Sequence, residues 1–289
     1  MAVPEDDKCC IQSNSARFKL FDTKLADLRR WQETPWGKLR YTIAAANLAR
    51  HLPDDACFQV LDVGGGNGCD AIELARLGHQ VTIVDPSEPS LAEARALAAD
   101  HGVSAAITTL ATDLDAITPD GIGTFDLILC HNVIQYLPDP PAAVLVLAAH
   151  LAADGLLSLI APNADADPLL AAIRSMDPDE ALRLLDTATR RTATYDTEVR
   201  ACYPDHLVDE LRSAGLTVTA RYGIRSACDL IADDARKSDP DFYASLERLE
   251  LALSARPQYA ATARFTHLIA TRASSHRSPA LPARPSGSQ

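Results

Sequence analysis

Between residues 58 and 161 the chain alternates short apolar runs with longer stretches whose apolar positions recur every three to four residues. The runs Phe58–Val63, Gln80–Asp85, Ala105–Leu110, Phe125–Cys130 and Leu156–Ala161 predict strands. The stretches Cys69–Leu77, Ser87–Ala99 and Asp139–Leu151 predict the helices between them. Phe125–Cys130 is apolar almost without interruption, as a strand covered on both faces requires. Two further strands are predicted at Leu216–Tyr222 and Arg264–Thr271. The pattern therefore predicts an α/β fold, a doubly wound and mostly parallel sheet of seven strands.

The flanks add helices. Phe18, Phe21, Leu25 and Leu28 share one face of a predicted helix over Phe18–Trp31, and Thr34-Pro35 reads as the cap and first turn of a second. Residues 17–52 are thus expected to form an N-terminal helical cover. After strand five the rhythm changes. Residues 163–200 read as a cap-like insertion, helical over Asp165–Arg191, and helices follow at Pro204–Ala214, Cys228–Arg236 and Phe242–Ala255. Residues 1–16 and 273–289 lack periodicity and are expected to be disordered, leaving one domain over 17–272.

Composition narrows the partners. Hydrophobic residues make up 47% of the chain, enough for a full core, and the net charge of −12 argues against a nucleic-acid binder while leaving room for a local basic face. The seven cysteines are odd in number and contain no C-x-x-C pair, so neither a disulfide framework nor a zinc site is indicated, and no metal is expected. The longest apolar region, Ala142–Ala161, is broken by His150 and Asp154-Gly155 and does not read as a membrane span. The opening Met1–Lys8 carries three acidic residues and does not read as a signal peptide, so a cytoplasmic protein is expected.

The chemistry concentrates where strand one meets its helix. Val60-Leu61-Asp62-Val63 runs into Gly64-Gly65-Gly66-Asn67-Gly68, a loop that can take positive φ and lay bare backbone against a ligand. The helix behind it offers free N–H groups and a positive dipole end. The dinucleotide fingerprint needs a glycine where Cys69 stands, and a P-loop needs Lys-Ser or Lys-Thr where Cys69-Asp70 stand. What remains is Asp62-x-Gly64-x-Gly66-x-Gly68, with Asp85 ending strand two where a carboxylate can hold ribose hydroxyls. This arrangement resembles the first motif of class I S-adenosylmethionine-dependent methyltransferases, which implies a Rossmann-like fold and S-adenosyl-L-methionine as cofactor.

Four other stretches sharpen the resemblance: Trp36-Gly37-Lys38-Leu39-Arg40, Cys130-His131-Asn132-Val133-Ile134, Gly223-Ile224-Arg225 and Arg264-Phe265-Thr266-His267. In this order they resemble the bacterial methyltransferases that esterify 5-carboxymethoxyuridine at the tRNA wobble position, over about Phe21 to Thr271. The resemblance implies cofactor contacts from Arg40, Gly64, Gly65, Asp85, Thr112, Asp113 and His131, alongside Asp62, Gly66 and Gly68 of the loop. Asp113 stands where that family has Gln, and the 165–200 segment departs most.

The leading reading is an O-methyltransferase acting on a small-molecule carboxylate. Such an acceptor is ionised at pH 7 and needs no general base. Arg225 and Arg264 are its candidate anchors, since a guanidinium fork suits a carboxylate; no catalytic residue is nominated. Three alternatives stay open: the tRNA carboxymethoxyuridine substrate, another oxygen, nitrogen or carbon acceptor, and an NAD(P)-dependent oxidoreductase or non-catalytic nucleoside-binding protein.

Overall fold

The computed structural model describes residues 21–53, 55–192 and 195–273. Its strands are β1 (Gln59–Val63), β2 (Gln80–Asp85), β3 (Ile107–Ala111), β4 (Phe125–His131), β5 (Leu151–Pro162), β6 (Thr189–Arg191), β7 (Glu198–Arg200), β8 (Leu216–Ile224) and β9 (Phe265–Arg272). Helices longer than one turn are α1 (Leu25–Glu33), α2 (Pro35–Ala49), α3 (Cys69–Arg76), α4 (Glu88–Asp100), α5 (Pro140–His150), α6 (Pro178–Leu184), α7 (Pro204–Ser213) and α8 (Pro240–Leu253). Seven strands form one sheet in the order β3-β2-β1-β4-β5-β9-β8, and β6 pairs only with β7. Within the sheet β9 alone runs opposite to the other six strands. Strand order reverses between β1 and β4, so a crevice is expected at their carboxyl ends.

Alternation along the central strands divides the core. On one face Leu61 and Val63 of β1 and Ile128 and Cys130 of β4 pack with Val144 and Leu147 of α5 and Leu207 and Leu211 of α7. On the other, Val60, Leu127 and Leu129 pack with Leu74 of α3 and Leu91 of α4. Leu39 and Ile43 fasten α2 to Ile160, Ile224 and Leu246, a third cluster that seats the N-terminal cover on β5 and β8. Caps fix where helices start: Thr34 accepts from Gly37 N–H at 3.0 Å, Ser87 from Ser90 N–H at 3.2 Å, and Asp139 from Ala142 N–H at 3.0 Å. Each of these helices has proline in its first turn.

Three segments depart from the sequence-based expectation. β5 begins at Leu151, because Leu151 pairs with Phe125 and Leu156 with Leu127, which makes Asp154-Gly155 part of a bulge within the strand. Cys228–Arg236 is not a helix; only the single turns Cys228–Leu230 and Arg236–Ser238 form. Its backbone is satisfied from outside. The buried Glu250 carboxylate accepts the N–H groups of Ser226, Ala227 and Cys228, and Arg174 donates to the carbonyls of Asp229 and Ile231. The insertion is helical as far as Leu184, through a π turn at Leu170–Arg174 and α6, but then forms the β6–β7 hairpin. Of the first predicted helix, residues 18–20 lie outside the described residues, as do 1–16 and the tail from 274. No described helix is long and apolar enough to cross a membrane.

Candidate active site

The loop after β1 is shaped by its glycines. Gly64 and Gly66 have φ of 64° and 56°, and Gly68, at 79°, caps α3 in the left-handed region. A Cβ on Gly65 would stand 2.4 Å from Asp62 Oδ2, whereas one on Gly66 would meet no atom within 4 Å. The loop is thus packed behind and bare in front. Asp85, at the end of β2, clamps it: Oδ2 accepts Gly66 N–H at 2.9 Å and Oδ1 accepts Ser87 N–H at 2.8 Å. Burial pushes the Asp85 carboxyl up to about 6, against those two N–H groups, which pull it down. Burial, and then the Asp70 charge, raise the Asp62 carboxyl well above the usual range, and its Oδ2 has no partner among the described residues.

A buried polar chain runs beside the loop. Arg40 on α2 donates Nη1 to Asp70 Oδ2 at 2.6 Å, and the same oxygen lies 2.9 Å from Nδ1 of His131 at the end of β4. His131 Nε2 is 2.8 Å from Ser158 Oγ on β5, which is 2.8 Å from His267 Nε2 on β9. Burial works to raise the Asp70 carboxyl, but Arg40 and His131 outweigh it and hold it below the usual carboxylate range. Burial lowers both histidines; for His267 the neighbouring His131 and Arg40 lower it further. A consistent neutral arrangement has His131 Nδ1–H donating to Asp70, Ser158 O–H donating to His131, and His267 Nε2–H donating to Ser158.

Arg40, Asp70 and His131 of this chain face a cavity of about 820 Å³, while Ser158 and His267 lie behind them. Of the residues nominated from sequence, Arg40, Asp62, Gly64, Gly65, Gly66, Asp85, Thr112, Asp113, His131, Arg225 and Arg264 all line it, while Gly68 does not. Arg225 is buried, grips Asp229 with both Nε (2.7 Å) and Nη2, and lies over the Phe265 ring. Arg264 donates Nη1 to Asp167 Oδ1 at 2.7 Å, and its backbone N–H donates to the carbonyl of Arg225. Both arginines therefore reach the cavity already holding a carboxylate of the chain.

Sequence reasoning missed Asp70, Ser158, His267 and Arg190. A signal existed for two of them: Ser158 and His267 are polar positions on apolar central strands and are fully buried. Arg190, on β6, donates Nη2 to the same Asp167 oxygen as Arg264, at 2.9 Å. It lies in a stretch read as helix, where nothing marked it.

Comparisons with known proteins decide the family. Residues 61–157 match the model of a methyltransferase domain. A tRNA 5-carboxymethoxyuridine methyltransferase from Escherichia coli K12 is 28% identical over 239 residues, covering 82% of this chain and 89% of the relative. The chain is a class I S-adenosylmethionine-dependent methyltransferase.

A ubiquinone biosynthesis O-methyltransferase from Bordetella bronchiseptica is 31% identical to this methyltransferase over 166 residues, 57% of the chain and 65% of the relative. Among solved structures, magnesium protoporphyrin IX methyltransferase from Synechocystis PCC 6803 superposes with a TM-score of 0.62 at 17% identity, covering 90% of this chain and 100% of that one. The Burkholderia thailandensis 1,6-didemethyltoxoflavin-N1-methyltransferase gives 0.56 at 18% identity, with coverage of 93% and 94%. At such identities the structural likeness speaks for the fold.

The residues present fit the cofactor of this class. Arg40 Nε, Asp62 Oδ2, Asn132 Oδ1 and Gln135 Oε1 are buried without partners among the described residues, and all four residues line the cavity. A ligand carrying an ammonium, a carboxylate and hydroxyls can satisfy such a set.

Proposed function

We propose that this methyltransferase esterifies a carboxylate on a small-molecule acid. In this reading Gly64–Gly66 and Arg40 hold the amino-acid end of the cofactor, with Asp62 and Gly68 setting the shape of the loop. Asp85 accepts from the ribose hydroxyls, Thr112 and Asp113 meet the adenine, and His131 supports the cofactor side through Asp70. When bound, S-adenosylmethionine supplies a sulfonium-borne methyl group as the electrophile.

The observation that carries the acceptor class is the state of His131. It is the one histidine among the described residues that lines the cavity, and both of its ring nitrogens are engaged, by Asp70 and by Ser158. It takes a proton from an acceptor hydroxyl or amine only by breaking that chain. An acceptor already ionised at neutral pH needs no such base, and a carboxylate meets the requirement. The remaining task is to align the acceptor and exclude water, which suits a cavity lined in part by residues of the insertion.

A second reading, the tRNA nucleoside, is favoured by the relative that spans most of this chain. Against it stand the net charge of −12 and the internal pairing of three arginines in the C-terminal part: Arg221 with Asp205, Arg225 with Asp229, and Arg264 with Asp167. Arginines spent on carboxylates release few counterions from a phosphate backbone. The test is transfer of labelled methyl from S-adenosylmethionine to a small-acid metabolite fraction and to bulk tRNA in parallel. Label in the acid fraction that mild alkali releases as methanol is the expected result. Label confined to tRNA, or stable to alkali, contradicts it.

A further inference from the structure

Arg190 has no part in the reading above. It sits at the centre of β6, opposite Val199 of β7, and its side chain is 7% exposed. Asp167 Oδ1 receives both Arg190 Nη2 and Arg264 Nη1, at 2.9 and 2.7 Å. Two guanidiniums thus share one carboxylate, which leaves these three groups together with one net positive charge. Burial, and then the neighbouring Arg264, push the Arg190 guanidinium down to about 10, so it remains charged at neutral pH. Its Nη1 is buried with no hydrogen-bond partner among the described residues, on a residue that lines the cavity. A buried donor left unmade and a buried net charge are both unfavourable, and an anion entering the cavity relieves both.

Aromatic side chains stand in the same cavity. Phe21, Tyr136 and Tyr195 meet edge to face, with ring centroids 5.0 to 5.7 Å apart, and all three line it. Tyr136 is close enough to Arg190 for the guanidinium charge to act on its phenol. Aromatic edges and faces are the surface against which a planar ring packs best.

We propose that Arg190 anchors the acceptor, and that the acceptor is a small aromatic carboxylic acid whose carboxylate lies between Arg190 and Arg264 with its ring toward Tyr136 and Tyr195. The proposal rests on the esterification reading for the reaction itself. Held by one oxygen, the carboxylate keeps the other for attack: the new O–CH3 bond forms as the methyl–sulfur bond breaks, and the bonding pair leaves with sulfur, giving S-adenosylhomocysteine and the methyl ester. No proton is transferred.

The test uses the full chain saturated with S-adenosylhomocysteine and a panel of probes: benzoate, 4-hydroxybenzoate, trans-cinnamate, hexanoate, benzamide and phenylphosphonate. Calorimetry should show at least one aromatic carboxylate binding more tightly than hexanoate, benzamide or phenylphosphonate. Arg190→Gln should weaken that binding by roughly a hundredfold, the scale of a lost charge-assisted hydrogen bond, and Arg190→Lys by less, with S-adenosylhomocysteine affinity unchanged in both. Asp167→Asn, which removes the shared counter-charge, should strengthen acid binding, so the idea stays testable if Arg190→Gln fails to fold. Equal binding of the panel by wild type and Arg190→Gln, preference for phenylphosphonate, or weaker acid binding by Asp167→Asn overturns the proposal. Alkali-labile product formed at wild-type kcat/KM by Arg190→Gln overturns the anchor and leaves esterification standing. An alkali-stable product that depends on Arg190 keeps the anchor and removes esterification.

Discussion

Ser158 and His267, 109 residues apart in sequence, are joined by a 2.8 Å hydrogen bond between Oγ and Nε2 in the middle of the sheet. The bond ties β5 to its antiparallel neighbour β9 and carries the Arg40–Asp70–His131 chain across to it. His267 is held well below its ordinary 6.5, mainly by burial, so the unfolded chain takes up its proton first as pH falls. Stability from this residue is therefore complete above about pH 6.5 and is lost as pH drops toward the depressed folded value.

Buried Asp62, Asp85 and Glu250 have raised values and contribute with the opposite sign below neutrality, so the raw slope mixes the two. The difference between wild type and His267→Gln isolates the histidine. Denaturant unfolding at pH 7 and pH 5 should show wild type losing up to about 1.4 kcal/mol per pH unit more than the variant. Parallel losses would mean that His267 is not buried neutral.

Asp85 carries a second pH dependence, this time in cofactor binding. The carboxyl titrates near 6 in the free protein. A ligand whose hydroxyls donate to the ionised form binds more tightly as pH rises through that value, and affinity levels off above it. Calorimetric titration with S-adenosylhomocysteine should show affinity falling toward tenfold per pH unit below about pH 6. Asp85→Asn should bind weakly with a flatter profile. An Asp85→Asn variant that binds as wild type does would remove this residue from the cofactor site.

The glycine loop separates packing from ligand contact. Alanine at Gly65 drives Cβ to 2.4 Å from Asp62 Oδ2 and 2.8 Å from Ile83 Cγ2, so it should destabilise the fold by about 1–3 kcal/mol. Alanine at Gly66 meets open space, and its cost is the left-handed φ of 56°, about 1–2 kcal/mol. If the cofactor lies on bare backbone there, Gly66→Ala should also lose at least tenfold in S-adenosylhomocysteine affinity, about 1.4 kcal/mol. Thermal unfolding and calorimetry on the two variants check both halves. Undiminished affinity in Gly66→Ala places the ligand elsewhere.

What the sequence disclosed was the part governed by local pattern. β2 falls on Gln80–Asp85 as expected, and the Thr34, Ser87 and Asp139 caps start their helices where proline and the capping oxygen coincide. What it hid was set by distant side chains. The Cys228–Arg236 stretch reads as helix until Glu250 and Arg174 take its backbone groups. Asp70 and His131 are 61 residues apart, and Arg190 reaches Asp167 only because the insertion folds back as a hairpin. No periodicity reports such meetings. Arg225 and Arg264 were legible as cavity residues through the stretches that contain them, but their partners Asp229 and Asp167 were not.

In the esterification reading the acceptor arrives ionised and needs no base from the site. The pH dependence of kcat, with S-adenosylmethionine and the acid found by the labelled-methyl assay both saturating, tests this most directly. A flat profile from about pH 6.5 to 8.5 is predicted, because neither the acceptor carboxylate nor the engaged His131 changes state over that range. A kcat that climbs through a pKa within that range and falls with His131→Asn would overturn the carboxylate reading, since it would mean that a proton is removed from the acceptor during transfer.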